Sequence, residues 1–334
     1  SDIKEIVDVV EHVANHKKYS EHVSEKPDYI YPENIDRQQI TVGASSYIKI
    51  ADGCNYHCGY CIIPNLRGEY HSRTIENIVE EAKSLVDKGV TEIVLIAQDT
   101  TSYGIDLYGK QALPQLLEEL NKIDGLGWIR IMYAYPSQMS DELIDTIAKL
   151  DKVAKYIDLP LQHSNAEILK AMRRPVMDYE KLINKIRTKI PNVAIRTAFI
   201  VGYPGETDEQ FEELYDFVKR MKFEKMGVFE YSREKNTVSY SMEDQVPDDV
   251  VKDRFDRLLK EVQQISAEVC SVHQGTTQDV LVESVNDHDP SLVTGRMSNN
   301  LLVHFPGDES MIGKIVTVYL KEAKGFYYMG ELCK

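Results

Sequence analysis

Apolar residues recur along this chain with two different periods. Short runs rich in β-branched and aromatic residues predict strands at 47–50, 92–97, 128–133, 156–159, 194–201 and 225–231. Between them apolar residues fall three or four apart, as a helix buried on one face requires. Residues 75–88 carry such a face in Ile75, Ile78, Val79, Ala82, Leu85 and Val86, and residues 208–221 in Phe211, Leu214, Tyr215 and Val218. Six βα units in series predict an α/β fold whose parallel sheet curls into a partial (β/α)6 barrel. After a long helix at 248–272 the pattern shortens to β-rich runs at 278–285, 292–296, 301–304, 315–320 and 326–332, separated by turns such as Asn286-Asp287 and Pro306-Gly307-Asp308. Five short strands suit a small OB-like β-barrel. At the other end, residues 2–14 place Ile3, Ile6, Val7, Val10 and Val13 on one helical face, and residues 19–44, with Pro27, Tyr29, Tyr31 and Pro32, read as a linker laid over the barrel. The expected division is 1–44 for helix and linker, 45–269 for the α/β core and 270–334 for the small barrel.

Composition narrows the class. No apolar run approaches the ~20 residues of a membrane span, and residues 1–18 lack a signal-peptide cleavage pattern. Outside one cluster the only cysteines are Cys270 and Cys333, too few for a disulfide framework, so a reducing cytoplasm is expected. The net charge is −15, and residues 270–334 hold five Lys and Arg against eight Asp and Glu. Such a barrel repels a polyanion and attracts a basic partner, which favours a protein over RNA as the substrate.

The chemistry concentrates at Cys54, Cys58 and Cys61, a C-x3-C-x2-C spacing in which three thiolates can hold a four-iron, four-sulfur cluster and leave one iron open. The same spacing would put three cysteines on one face of a helix, but Gly53, Gly59, Pro64 and Gly68 break any helix there. Zinc completed by His57 or His71 is the competing metal site.

The cysteine triplet, with the aromatic Tyr60 before its third member and a strand before its first, resembles the cluster loop of the radical S-adenosylmethionine enzymes. The resemblance implies one 4Fe–4S cluster whose open iron chelates S-adenosylmethionine, a 5′-deoxyadenosyl radical formed with one electron from a donor protein, and Tyr60 beside the adenine. Phe199 to Thr207 resembles the strand segment that packs beside the adenosine. That gives Arg196, Gly202 and Glu206 as further candidates around the cofactor, Arg196 for a carboxylate or ribose. The ends of the other predicted strands add Gln162 and Ser164 and leave His163 a candidate base or relay, with helix capping and ordinary loop hydrogen bonding as the plainer readings. No catalytic residue is assigned.

Asp52-Gly53-Cys54-Asn55, Ile62-Ile63-Pro64, Leu169 to Arg174 and Gly202 to Thr207 further resemble the methylthiotransferases, which replace a C–H hydrogen by a methylthio group and end in a TRAM barrel. Gln98-Asp99 and Gln162-His163-Ser164 resemble the branch that modifies the β-carbon of an aspartate in a basic small-subunit ribosomal protein. The tRNA-adenosine branch is the alternative, and a non-catalytic metal-bearing assembly module is a third reading. The family implies an amino-terminal domain with a second cluster. No cysteine precedes Cys54, so the expectation is a fragment that cleaves S-adenosylmethionine without completing methylthio insertion.

Overall fold

The computed structural model describes residues 5–16 and 43–333. The linker expected at 19–44 and the helix positions before residue 5 fall almost entirely outside the described residues. Strands and helices follow in the order α1 (Ile6–His16), β1 (Ser45–Lys49), β2 (Ala51–Asp52), α2 (Ile63–Arg67), β3 (His71–Ser72), α3 (Ile75–Asp87), β4 (Glu92–Ile96), α4 (Ile105–Tyr108), α5 (Leu113–Asn121), β5 (Trp128–Ile131), α6 (Asp141–Lys149) and β6 (Val153–Asp158). There follow α7 (Ala166–Ala171), α8 (Tyr179–Lys189), β7 (Ala194–Val201), α9 (Asp208–Met221), β8 (Lys225–Glu230), α10 (Asp248–Ser271), β9 (Thr277–Val285), β10 (Leu292–Met297), β11 (Leu302–Pro306), β12 (Ile315–Ala323) and β13 (Tyr327–Leu332).

Strands β1, β4, β5, β6, β7 and β8 form one six-stranded sheet in that order, every neighbouring pair parallel. The expected partial barrel is therefore present. A parallel sheet covered by helices buries both faces of its strands, and β4 accordingly reads Glu-Ile-Val-Leu-Ile with no exposed position. The covering helices are stopped and started by local chemistry. Thr74 caps α3 by accepting from Asn77 N–H, and Thr207 and Gln210 form a reciprocal capping box at the start of α9.

The expected second barrel is closed, in the order β10-β11-β13-β12-β9, around Val280, Val282, Val293, Val303, Phe305, Val318, Leu320 and Tyr328. It docks on the edge where the core strands begin. Trp128 and Ala44 pack against Leu281 there, and Ile315 joins them. Beside this seam the carboxylate of Glu92, first residue of β4, receives Arg130 at 2.8 Å and Arg296 of the barrel at 2.6 Å; Arg296 also pairs with Glu283 at 2.6 Å. Burial alone would raise the Glu92 carboxyl, but the two guanidinium groups bring it below its ordinary range.

One expectation about local backbone needs correction, and one plainer reading falls away. Residue 133 was expected inside a strand, yet β5 stops at Ile131 and Tyr133 takes a left-handed conformation with φ 57°. Neither Gln162 nor Ser164 caps α7. Asn165 does, its side chain accepting from Glu167 and Ile168 N–H.

Candidate active site

The cysteine loop leaves the core immediately after β1. β2 and β3 pair across its neck, Ala51 with Ser72 and Asp52 with His71, so the residues between them form one closed excursion. Gly53 turns into it at φ 82°, where a Cβ would collide with the Glu69 carbonyl. Cys54 N–H donates to Gly68 O at 3.1 Å, Tyr70 N–H to Asn55 Oδ1 at 3.0 Å, and Tyr70 OH to Asp99 O at 2.6 Å. At the loop's far end Gly59 N–H donates to Met172 O at 2.8 Å, and a Cβ there would lie 2.5 Å from the Tyr203 hydroxyl. The stretch from Cys54 to Cys61 is irregular, and α2 starts only at Ile63, which removes the helix-face reading of the cysteines.

All three cysteines are half-buried and line a cavity of about 850 Å³ at the edge where the core strands end. Burial, the largest influence, pushes the Cys54 thiol up to about 11, and Cys58 and Cys61 add to the shift; Cys61 is raised for the same leading reason. Thiolates gathered in one cavity wall repel one another unless a cationic core lies between them. Among the described residues no three His, Cys, Asp or Glu side chains converge as a single metal ion requires. A cluster offers separate iron corners to separate thiolates, so thiols that do not meet at one point can still hold it. The donor set, three thiols and an adjoining cavity, fits a three-cysteine cluster with room for a ligand on the open iron.

The expected cofactor residues divide into two groups. Tyr60, Gln162 and Arg196 line the cavity with the cysteines. Gln162 projects from a left-handed backbone, φ 75°, pinned on both sides by its N–H to Ala198 O and its C=O from Ile200 N–H, each 2.8 Å. Arg196 is held by Asp158, its cross-strand partner, at 2.8 Å, with a third of its side chain still exposed. Gly202, Glu206 and Ser164 do not line the cavity. Gly202 has φ 76° and packs on Val251; Glu206 is buried, accepting from Gly202 N–H and facing Arg254 at 3.2 Å and His163 Nε2 at 3.4 Å. Gly202 and Glu206 brace the turn after β7, while Ser164 Oγ is buried without a hydrogen-bond partner. His163 is likewise fully buried, its Nδ1 accepting from Asn165 N–H at 2.9 Å, so it stands behind the cavity wall.

Further lining groups surround them. Gln98 Oε1, Arg174 Nε and Tyr231 OH are buried, lack hydrogen-bond partners and belong to residues of the cavity wall. Tyr56 and Tyr135 stack with ring centroids 3.8 Å apart, and the Arg174 guanidinium lies 4.2 Å over Tyr135. Asp99 organises the floor: its carboxylate accepts from Thr101 and Ser102, and Thr101 Oγ1 in turn accepts from Tyr135 N–H at 3.0 Å. Gln98, Tyr135 and Tyr231 lie just past strand ends, the positions where a barrel keeps its chemistry and where the sequence places them.

A partial parallel barrel with three cysteines after its first strand, open to a cavity at the strand ends, defines a radical S-adenosylmethionine enzyme. The model of the radical SAM superfamily matches residues 48–218, and that of the TRAM domain matches 272–333. The ribosomal protein uS12 methylthiotransferase RimO of Heliobacterium modesticaldum is 44% identical over 99% of this chain and 72% of its own length. Those of Desulforamulus reducens and Caldanaerobacter subterraneus subsp. tengcongensis are 44% and 45% identical, each over 99% of this chain and 76% of theirs. The chain belongs to the RimO family of radical S-adenosylmethionine methylthiotransferases. Among the described residues no helix is long and apolar enough to cross a membrane.

Proposed function

We propose that this chain carries the radical site that methylthiolates an aspartate β-carbon of ribosomal protein uS12. The observation that carries the reading is the convergence of Cys54, Cys58 and Cys61 with Gln98, Gln162 and Arg196 on one cavity at the strand ends. A bound cluster and S-adenosylmethionine supply the radical chemistry there. The chain's own residues hold and shield the reactants. Tyr60 lies next to the third thiol and offers a ring face for the adenine. Arg196, fixed by Asp158, presents its remaining N–H groups to a carboxylate of the cofactor or of the target aspartate. Gln98 Oε1 accepts from an ammonium or ribose hydroxyl, because a buried amide oxygen without a donor is costly until a ligand supplies one. Tyr56, Tyr135 and Phe229 give the cavity an apolar wall that keeps water from a radical.

The acidic barrel suits a basic protein partner better than RNA. The sulfur to be inserted has no second three-cysteine set in this sequence. Cys270 is buried in the barrel core and Cys333 is exposed, so any second cluster must be held by residues outside this sequence. An external electron-donor protein completes the partner set.

The test is anaerobic reconstitution with iron and sulfide, followed by reduction with S-adenosylmethionine and measurement of bound iron, 5′-deoxyadenosine and salt-dependent binding of purified uS12 and of tRNA. About four irons per chain, 5′-deoxyadenosine and binding of uS12 in preference to tRNA are expected. Preferential tRNA binding would move the protein to the adenosine-modifying branch, and zinc without cofactor cleavage would reduce the site to a structural metal.

A further inference from the structure

Four arginines are buried among the described residues, and three of them have a carboxylate. Arg73 meets Glu81 at 2.7 Å, Arg130 meets Glu92 at 2.8 Å, and Arg254 meets Asp208 at 2.7 Å and Glu206 at 3.2 Å. Arg174 is only 9% exposed and pairs with none of the carboxylates. Its Nη2 donates to Pro160 O at 2.5 Å, its guanidinium covers the Tyr135 ring, and its Nε–H has no partner. Burying a cation without an opposite charge costs several kcal/mol, so the fold has left this one a counter-charge that is not a carboxylate.

The local structure indicates where that charge lies. After α7, Met172 is fully buried and its carbonyl receives Gly59 N–H from between Cys58 and Tyr60. Arg173 then turns left-handed at φ 54°, and Arg174 N–H returns to Leu169 O at 2.8 Å, at the start of a side chain that lines the cavity with the cysteines. The Arg174 side chain shares the cavity wall with Cys54, Cys58, Tyr60 and Cys61, its guanidinium 4.2 Å over the Tyr135 ring. No other cation in the cavity wall is both buried and without a carboxylate, since Arg196 has Asp158 and Lys49 has Asp52.

We propose that Arg174 is the counter-charge of the cluster held by Cys54, Cys58 and Cys61, its Nε–H donating to a sulfur on the Cys58 side and its charge favouring the reduced, more negative form. The proposal rests on the assignment of those cysteines as ligands. Hydrogen bonds to sulfur and local net charge are established levers on cluster potential, and a fixed cation beside the thiolates works in the direction that makes reduction easier. Arg174 is a positioning and tuning residue and moves no proton.

The experiment is a redox titration, without S-adenosylmethionine, of the reconstituted protein and of its Arg174→Met and Arg174→Lys variants, with iron counted in each. Arg174→Met should keep its iron and lose at least tenfold in the reduction equilibrium, about 59 mV more negative for a one-electron couple, and Arg174→Lys should recover most of the loss. An unchanged potential in Arg174→Met overturns the proposal, and if its S-adenosylmethionine binding is weakened the residue belongs to the cofactor carboxylate instead. Loss of iron from both variants alike would make Arg174 a prop of the loop and also overturn it. A wild-type protein that takes up no iron would sink the cluster assignment itself, and this proposal with it.

Discussion

The two edges of the six-stranded sheet use polar side chains in opposite ways. Where the strands begin, Glu92, Arg130, Arg296 and Glu283 form a chain of opposite charges with every link at 2.8 Å or less, and Ser45 Oγ adds a hydrogen bond to Glu92 at 2.7 Å. Where the strands end, Gln98, Arg174 and Tyr231 each leave a buried polar atom without a partner, and Tyr133 and Gln162 hold left-handed backbones. The first edge fastens the second barrel to the first through ion pairs, with Arg130 Nη2 near Glu92 but making no hydrogen bond of its own. The other is closed only when a ligand arrives, and its unmet hydrogen bonds and strain are the cost of preorganisation.

That comparison predicts a separation of effects. Replacing Cys54, Cys58 and Cys61 together by Ala should abolish bound iron and 5′-deoxyadenosine formation while the urea midpoint of the apoprotein moves little, because half-buried thiols contribute little packing. A large fall in apoprotein stability would mean that the loop is a structural staple. Glu92→Ala should do the reverse, costing about 3–5 kcal/mol in urea unfolding by stranding Arg130 and Arg296, with S-adenosylmethionine binding unchanged once folded. If Glu92→Ala weakens cofactor binding in the folded protein, the two edges are coupled and the comparison breaks.

Smaller effects sharpen it. Gly53→Ala should cost about 1–3 kcal/mol through its left-handed backbone and the collision with the Glu69 carbonyl, and reconstitution yield should fall with it. Gln98→Leu should weaken S-adenosylmethionine binding by about tenfold or more, read by calorimetry, and leave the apoprotein as stable or about 1 kcal/mol more stable, because the amide oxygen it removes is unpartnered there. Equal losses in both measurements would show that Gln98 is structural.

The smallest effect concerns pH. Lys225, at the seam, is pushed down to about 8 from 10.5 chiefly by burial and then by Arg296 and Arg130, while its ammonium donates to Asn300 O. The unfolded chain binds that proton more tightly, so this group's contribution to stability rises as pH climbs from about 8 to about 10.5. The difference between wild-type and Lys225→Met unfolding curves should therefore slope across that window and be flat below it. A difference that is flat throughout would place the lysine in water.

Much of this was legible in the residues. β7 and α9 match the expected 194–201 and 208–221, because an apolar run and a capped amphipathic face are each set within a few residues. The cysteine spacing, with its glycines and proline, marked the cluster loop for the same reason. Gln162, expected from its place past a strand end, and Arg196, expected from the resemblance of its strand, line the cavity. Glu206 did not, although it shares a motif with Gly202: its side chain turns inward to Gly202 N–H and Arg254, and only packing distinguishes a brace from a wall.

The periodic elements, the three-thiol spacing and the net negative charge are fixed in the residues, because each is carried by neighbouring positions or by a simple sum over the chain. It took the tertiary structure to close Arg296 on Glu92 from 204 positions away and to set Arg174 in the cavity wall of the cysteines with its Nε unpartnered. Pairings across such distances leave no local periodicity, and whether a buried charge has a partner depends on what the completed fold brings within about 4 Å.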